Sequence, residues 1–150
     1  MTELSAGGVA FSDLLVEVFR INGLLLAAGD ALTRQDGLTS ARWQVLGVVD
    51  HGPFTVAQVA RTMGLTRQSV RQTADALVRD GMVAFADNPA DRRARLMTLT
   101  GAGRAALRRV EARQADWASA IAGRMPHSDL RSALAVLRDL SDLLEDEHGR

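Results

Sequence analysis

In the stretch Thr66-Arg67-Gln68-Ser69-Val70-Arg71-Gln72, every side chain but one carries a hydrogen-bonding group. An arginine guanidinium can donate two parallel hydrogen bonds to guanine, and a glutamine amide can pair bidentately with adenine. The hydroxyls of Thr66 and Ser69 are suited to donate to phosphate oxygens. A solvated helix face has the same composition, because Arg and Gln are good helix formers. A second cluster follows at Asp91-Arg92-Arg93-Ala94-Arg95. Arginine is suited to the strongly negative narrow minor groove of duplex DNA. Asp91 is expected to hydrogen-bond a neighbouring guanidinium and fix its direction. The alternative is a solvated turn with local ion pairs, each worth little.

Groups for catalysis are scarce. There is no Cys, which excludes a disulfide, a thiolate nucleophile and a thiol redox switch. His51, His127 and His148 lie in separate segments without metal-ligand spacing. The chain contains no Gly-rich phosphate loop, no Gly-x-Ser-x-Gly and no His-Glu-x-x-His. Gly101-Ala102-Gly103 is too short for a dinucleotide fingerprint, and Glu145-Asp146-Glu147 reads as a solvated terminus. The expectation is a non-enzyme with no cofactor and no metal. Residues 1–8 have no basic segment followed by an apolar one, and the longest apolar run, Leu24 to Ala28, is far too short to span a bilayer. A cytoplasmic protein without a membrane partner is expected.

The net charge is zero, but it is unevenly spread: −3 over residues 1–60, +6 over 61–113 and −3 over 114–150. All 18 basic residues are Arg. A basic middle between acidic ends suits a region that meets phosphate.

The elements that must position these residues follow from periodicity. Phe11, Leu15, Val18, Ile21, Leu25 and Leu32 predict a helix from about Phe11 to about Thr33, broken by Asp36-Gly37. A second helix starts near Ser40 as N-cap, carries Trp43, Leu46 and Val49, and ends at His51-Gly52-Pro53. Thr55-Val56-Ala57-Gln58 reads as a capping box for a short third helix, with Val56, Val59 and Ala60 inward. After the Met63-Gly64-Leu65 turn, a fourth helix opens at Thr66 and closes at Asp80-Gly81; Val70, Ala74, Leu77 and Val78 form its buried stripe. Met82–Ala86 and Arg95–Leu99 then read as a β-hairpin. Thr100 caps a fifth helix marked by Leu107, Val110, Trp117 and Ile121. A sixth runs from Pro126 to about Glu147, with Leu130, Leu134, Leu137, Leu140 and Leu144 inward. Aromatics are only 4 % of the chain, so its core must be mainly aliphatic.

Two short helices joined by a Gly-containing turn are a helix-turn-helix, whose second helix enters the major groove. The stretches Val56–Ala60 and Leu65–Arg71, then Leu77–Val83, resemble the helix-turn-helix of MarR-type regulators. The segment Asn88–Arg95, ending in Leu99-Thr100, is similar to that family's wing signature, Asp-x-Arg-x-Lys/Arg, with Asp91, Arg93 and Arg95 on the pattern. Gly101-Ala102-Gly103 and Gln72 depart from it, standing where charged residues are usual.

The resemblance implies a mainly α fold with a small β-hairpin wing. Residues 1–150 would form a single MarR-like domain: a winged helix-turn-helix DNA-binding lobe at 40–100, flanked by dimerisation helices at 9–36 and 101–147. It implies a homodimeric regulator of double-stranded DNA, a repressor on a pseudo-palindromic operator. Thr66, Arg67, Gln68, Ser69, Arg71 and Gln72 would act from the recognition helix, and Asp91, Arg92, Arg93 and Arg95 from the wing. It also implies release by a small aromatic or anionic effector, with Phe19, Arg42, Trp43 and Leu46 as lining candidates; simple core packing is the commoner role of such a Trp. The rival reading is a winged-helix module that binds other proteins and has no specific DNA site.

Overall fold

The computed structural model describes residues 3–149. The chain divides into two compact units, residues 1–110 and 111–150, with the boundary inside the fifth long helix.

The first unit opens with α1 (Ala6–Thr33), longer at its start than its apolar period predicts. Ser5 caps it, its Oγ accepting from the Gly8 amide at 3.1 Å, and that polar signal precedes the first hydrophobic repeat. A short 3-10 turn (Arg34–Asp36) closes on Gly37, whose φ of 68° is the left-handed conformation that glycine adopts without penalty. In α2 (Ser40–Val49), the N-cap is Thr39 and not Ser40. Thr39 is extended, and its Oγ1 accepts from the Arg42 amide. Ser40 is buried instead, its Oγ donating to Leu26 O and its amide to Asp30 Oδ1 at 2.7 Å. It therefore ties α2 to α1.

β1 (Phe54–Thr55) leads into α3 (Val56–Met63), α4 (Arg67–Arg79), β2 (Val83–Ala86) and β3 (Leu96–Leu99). The predicted hairpin is present, each strand one residue shorter than expected. It gains a strand that the sequence did not announce. β1 lies beside β3 in an antiparallel sheet of order β1-β3-β2, with both Phe54 and Phe85 opposite Met97. A two-residue strand has no periodicity of its own; its partner creates it.

The core of this unit is aliphatic. Leu46, Val59, Val70, Leu77, Met97, Leu107 and Val110 are sealed, while Trp43, Phe54 and Phe85 pack at its edge, half-buried. On α4 the stripe is Val70, Ala74 and Leu77, as predicted, but Val78 is 40 % exposed. At 100° per residue Val78 stands about 80° from Val70 around the helix, off the line that faces the core.

α5 (Gly101–Ala122) begins on this core. Thr100 caps it as expected, its Oγ1 accepting from the Gly103 amide at 3.1 Å. A Cβ at Gly103 would meet Met82 O at 2.0 Å, so the helix start lies against backbone with no room for a side chain. Asp50, only 12 % exposed, receives Arg104 at 3.2 Å and Arg108 at 2.8 Å, and Arg109 reaches Asp36 at 2.6 Å.

The second unit holds the rest of α5 and α6 (His127–His148). Pro126 is the N-cap of α6, one residue outside the helix it was expected to begin. The leucine stripe of α6 has the predicted spacing, but the expectation that it turns inward is wrong for one chain. No described residue of α6 is buried; Leu130 and Leu140 are half-buried, and Leu134, Leu137 and Leu144 are exposed. Spacing identifies the apolar face of a helix and is silent on what covers it. On α5, Trp117 is half-buried and Ile121 exposed. No helix among the described residues is long and apolar enough to cross a membrane.

Candidate nucleic-acid interface

The interface is built from the caps outward. Thr55 and Gln58 form the predicted capping box: Thr55 Oγ1 accepts from the Gln58 amide at 3.2 Å, and Gln58 Oε1 accepts from the Thr55 amide at 2.8 Å. The first-turn amides of Val56 and Ala57 have no partner within the helix. α3 ends at Gly64, where φ is 64°, and the chain turns directly into the Thr66 cap. Thr66 Oγ1 accepts from the Ser69 amide at 3.1 Å. Among the described residues its own hydroxyl hydrogen has no acceptor, and it can donate outward.

Burial of Val70, Ala74 and Leu77 fixes the rotation of α4. That rotation exposes Thr66, Arg67, Gln68, Ser69, Arg71 and Gln72, all six residues expected to read DNA. The wing is ordered by short local bonds. Asn88 Oδ1 accepts from the Ala90 amide at 3.0 Å, and Asp91 Oδ1 accepts from the Arg93 amide at 2.9 Å. Asp91 thus does hold Arg93, but through its main chain in an Asx turn; the expected carboxylate–guanidinium contact is absent among the described residues. The reason is proximity: the amide two residues on lies within reach of a short carboxylate.

Helix and wing meet in one groove of about 350 Å³, lined by the Thr55 cap with Val56 and Ala57 of α3, Arg67, Gln68 and Arg71 of α4, and Arg93, Ala94 and Arg95 of the wing. The structure brings five of the ten predicted contact residues to this groove. Thr66, Ser69 and Gln72 are exposed outside its lining, as is Asp91, and Arg92 borders a second hollow at the wing tip with Asp87, Asn88 and Pro89. Sequence reasoning missed the α3 contribution and Phe85. The ring centroid of Phe85 lies 5.7 Å from the guanidinium carbons of both Arg71 and Arg95. The α3 residues were within reach, since a helix that packs before a recognition helix also aims its first amides outward. For Phe85 nothing in the local pattern distinguished a core-edge aromatic from one that supports arginines.

Two groups of arginines stand apart. Arg104, Arg108 and Arg109 are held by Asp50 and Asp36, and Arg42 by Asp80 at 3.0 Å. Arg67, Arg71, Arg92, Arg93 and Arg95 have no ion pair among the described residues. Four of those five line the groove, and no carboxylate does. Like charges gathered without counter-charge repel one another, and an anion in the groove relieves that repulsion. A backbone of phosphates with base edges between them matches both the guanidiniums and the amide and hydroxyl donors.

The expected effector residues are less concentrated. Phe19 is 69 % exposed on α1, Trp43 is half-buried on α2, and Leu46 has no exposed surface. Arg42 donates to Gly37 O at 3.2 Å as well as to Asp80. His51, His127 and His148 are all exposed. No group of three or more potential metal ligands is found among the described residues.

A family model described as the MarR family matches residues 36–94. An uncharacterised protein of Mycobacterium tuberculosis is 40 % identical over 100 residues, covering 67 % of this chain and 70 % of that protein. Among solved structures, Staphylococcus aureus MarR in complex with salicylate and kanamycin superposes with a TM-score of 0.78 at 15 % identity, over 93 % of this chain and 95 % of that one. The regulator MOSR of M. tuberculosis, in complex with DNA, gives a TM-score of 0.73 at 24 % identity, over 87 % and 96 %. At such identities the two structures speak for the fold.

Proposed function

Because this chain belongs to the MarR family and is a DNA-binding transcriptional regulator, we propose that it acts as a homodimeric repressor on a pseudo-palindromic operator. The observation that carries this reading is the groove in which Arg67, Gln68 and Arg71 face Arg93 and Arg95 with no carboxylate among them. The helix supplies base-reading donors, and the wing supplies charge for the backbone or minor groove alongside. Family and fold are those of transcription regulators and not of enzymes, and a cytoplasmic location follows if the DNA binding proposed here holds.

The homodimer is supported by surface that a single copy leaves open. α1 exposes Phe11, Phe19, Ile21, Leu24 and Leu25, and α6 exposes Leu134, Leu137 and Leu144. Apolar area on this scale is normally covered. A second copy covers it if residues 9–36 and 101–147 form the two-fold interface, leaving residues 40–100 as the DNA-binding lobe. A symmetric dimer offers two recognition helices to half-sites about one helical turn apart.

Release by a small aromatic anion is part of the same proposal. The S. aureus relative is complexed with salicylate. Here Phe19 and Trp43 offer aromatic surface, and Arg42 offers charge that is tied to Asp80 at the C-terminal end of α4. An anion that captures Arg42 thereby acts on the recognition helix; Leu46 would line such a site only from behind, through the core.

Selection of duplexes from a random library tests the reading. An inverted repeat should be enriched, with half-sites separated by about ten base pairs. Recovery of unrelated sequences, or no retention at all, would favour a protein-binding module instead.

A further inference from the structure

We propose that Phe85 is a positioning residue for DNA reading: its ring seats Arg71 of the recognition helix and Arg95 of the wing at once. The inference deepens the regulator reading and rests on it. Both guanidinium carbons lie 5.7 Å from the ring centroid, within the range of a cation–π contact. Arg95 is held twice, because its Nη2 also donates to Phe85 O at 3.2 Å. The seat itself is anchored. Phe85 is half-buried on β2, packed against the core and opposite the fully buried Met97.

The chemistry of the seat decides what the arginines can do. Arg42, Arg104, Arg108 and Arg109 are fixed by carboxylates, which occupy N–H donors and neutralise charge. An aromatic face holds a guanidinium by its plane and leaves the N–H edges open. Arg71 and Arg95 therefore stay oriented while keeping their charge and, apart from the Arg95 Nη2 bond to Phe85 O, the donors that a phosphate or a guanine edge requires. Sharing one ring also couples two elements. The separation of the two guanidiniums is set by the sheet and α4 and not by the free swing of two long side chains, so less side-chain entropy is lost when DNA arrives.

Phe85→Leu keeps apolar volume against the core and removes the π face; Phe85→Met serves in its place if the leucine variant does not fold. In the free wild-type protein, ring current should shift the Arg71 and Arg95 side-chain proton resonances upfield, and Phe85→Leu should return them toward unperturbed positions. Operator affinity should fall about five- to twenty-fold in Phe85→Leu and return in Phe85→Trp. Arg95→Ala should cost about two- to five-fold less in the Phe85→Leu background than in the wild type. Wild-type affinity in Phe85→Leu, or an equal cost of Arg95→Ala in both backgrounds, overturns the proposal while the regulator reading stands. A wild-type protein with no operator preference overturns both, and is recognised by that result alone.

Discussion

At the residue scale, the account turns on which arginines are engaged and which are open. Sequence alone counts Arg104, Arg108 and Arg109 with the rest of the basic middle. The structure spends them on Asp50 and Asp36. Arg71 is open, sits on the outward face of α4 and points into the groove. If its guanidinium is bidentate to a base, Arg71→Ala should abolish preference at one or two operator positions, worth about 1–3 kcal/mol of discrimination at each. Competition with single-base operator variants measures this directly. A uniform loss across all variants would assign Arg71 to phosphate. The identities of these residues were legible because donor chemistry belongs to the side chain. Their freedom from ion pairs was not, because a carboxylate such as Asp50 meets Arg104, 54 positions further along the chain, only once the chain has folded.

At the element scale, what was legible was whatever is written locally. The capping box at Thr55 and the caps at Thr66 and Thr100 involve residues three apart, so sequence spacing defines them. Thr39 and Ser40 are adjacent hydroxyls, and only the neighbouring α1 backbone decides which one turns inward. The strand β1 and the close approach of α5 to Met82 are tertiary in the same sense. Gly103 makes this testable. Gly103→Ala should destabilise the protein by about 1–3 kcal/mol in thermal or denaturant unfolding, since Met82 O is backbone and yields little. Gly47, in the last turn of α2, has nothing within 4 Å of a built Cβ. Gly47→Ala should therefore stabilise by about 0.5–1 kcal/mol through reduced backbone entropy cost. Equal effects at the two sites would mean that the start of α5 does not depend on its contact with Met82.

At the scale of the whole molecule, the apolar stripes of α1 and α6 are as regular as the core stripes yet remain open in one chain. The proposed dimer predicts that Leu137→Glu shifts sedimentation equilibrium toward monomer while the far-ultraviolet circular dichroism of the winged unit is kept. An unchanged dimer would remove α6 from the interface. The central claim concerns the arginine groove, and salt dependence of operator affinity tests it most directly. For a protein that meets phosphates with guanidiniums, log affinity falls linearly with log salt, steeply between about 50 and 200 mM. If Arg93 is one of those guanidiniums, Arg93→Ala should make that slope shallower by about one and leave sedimentation unchanged. Identical slopes for the two proteins, or affinity indifferent to salt, would contradict the account.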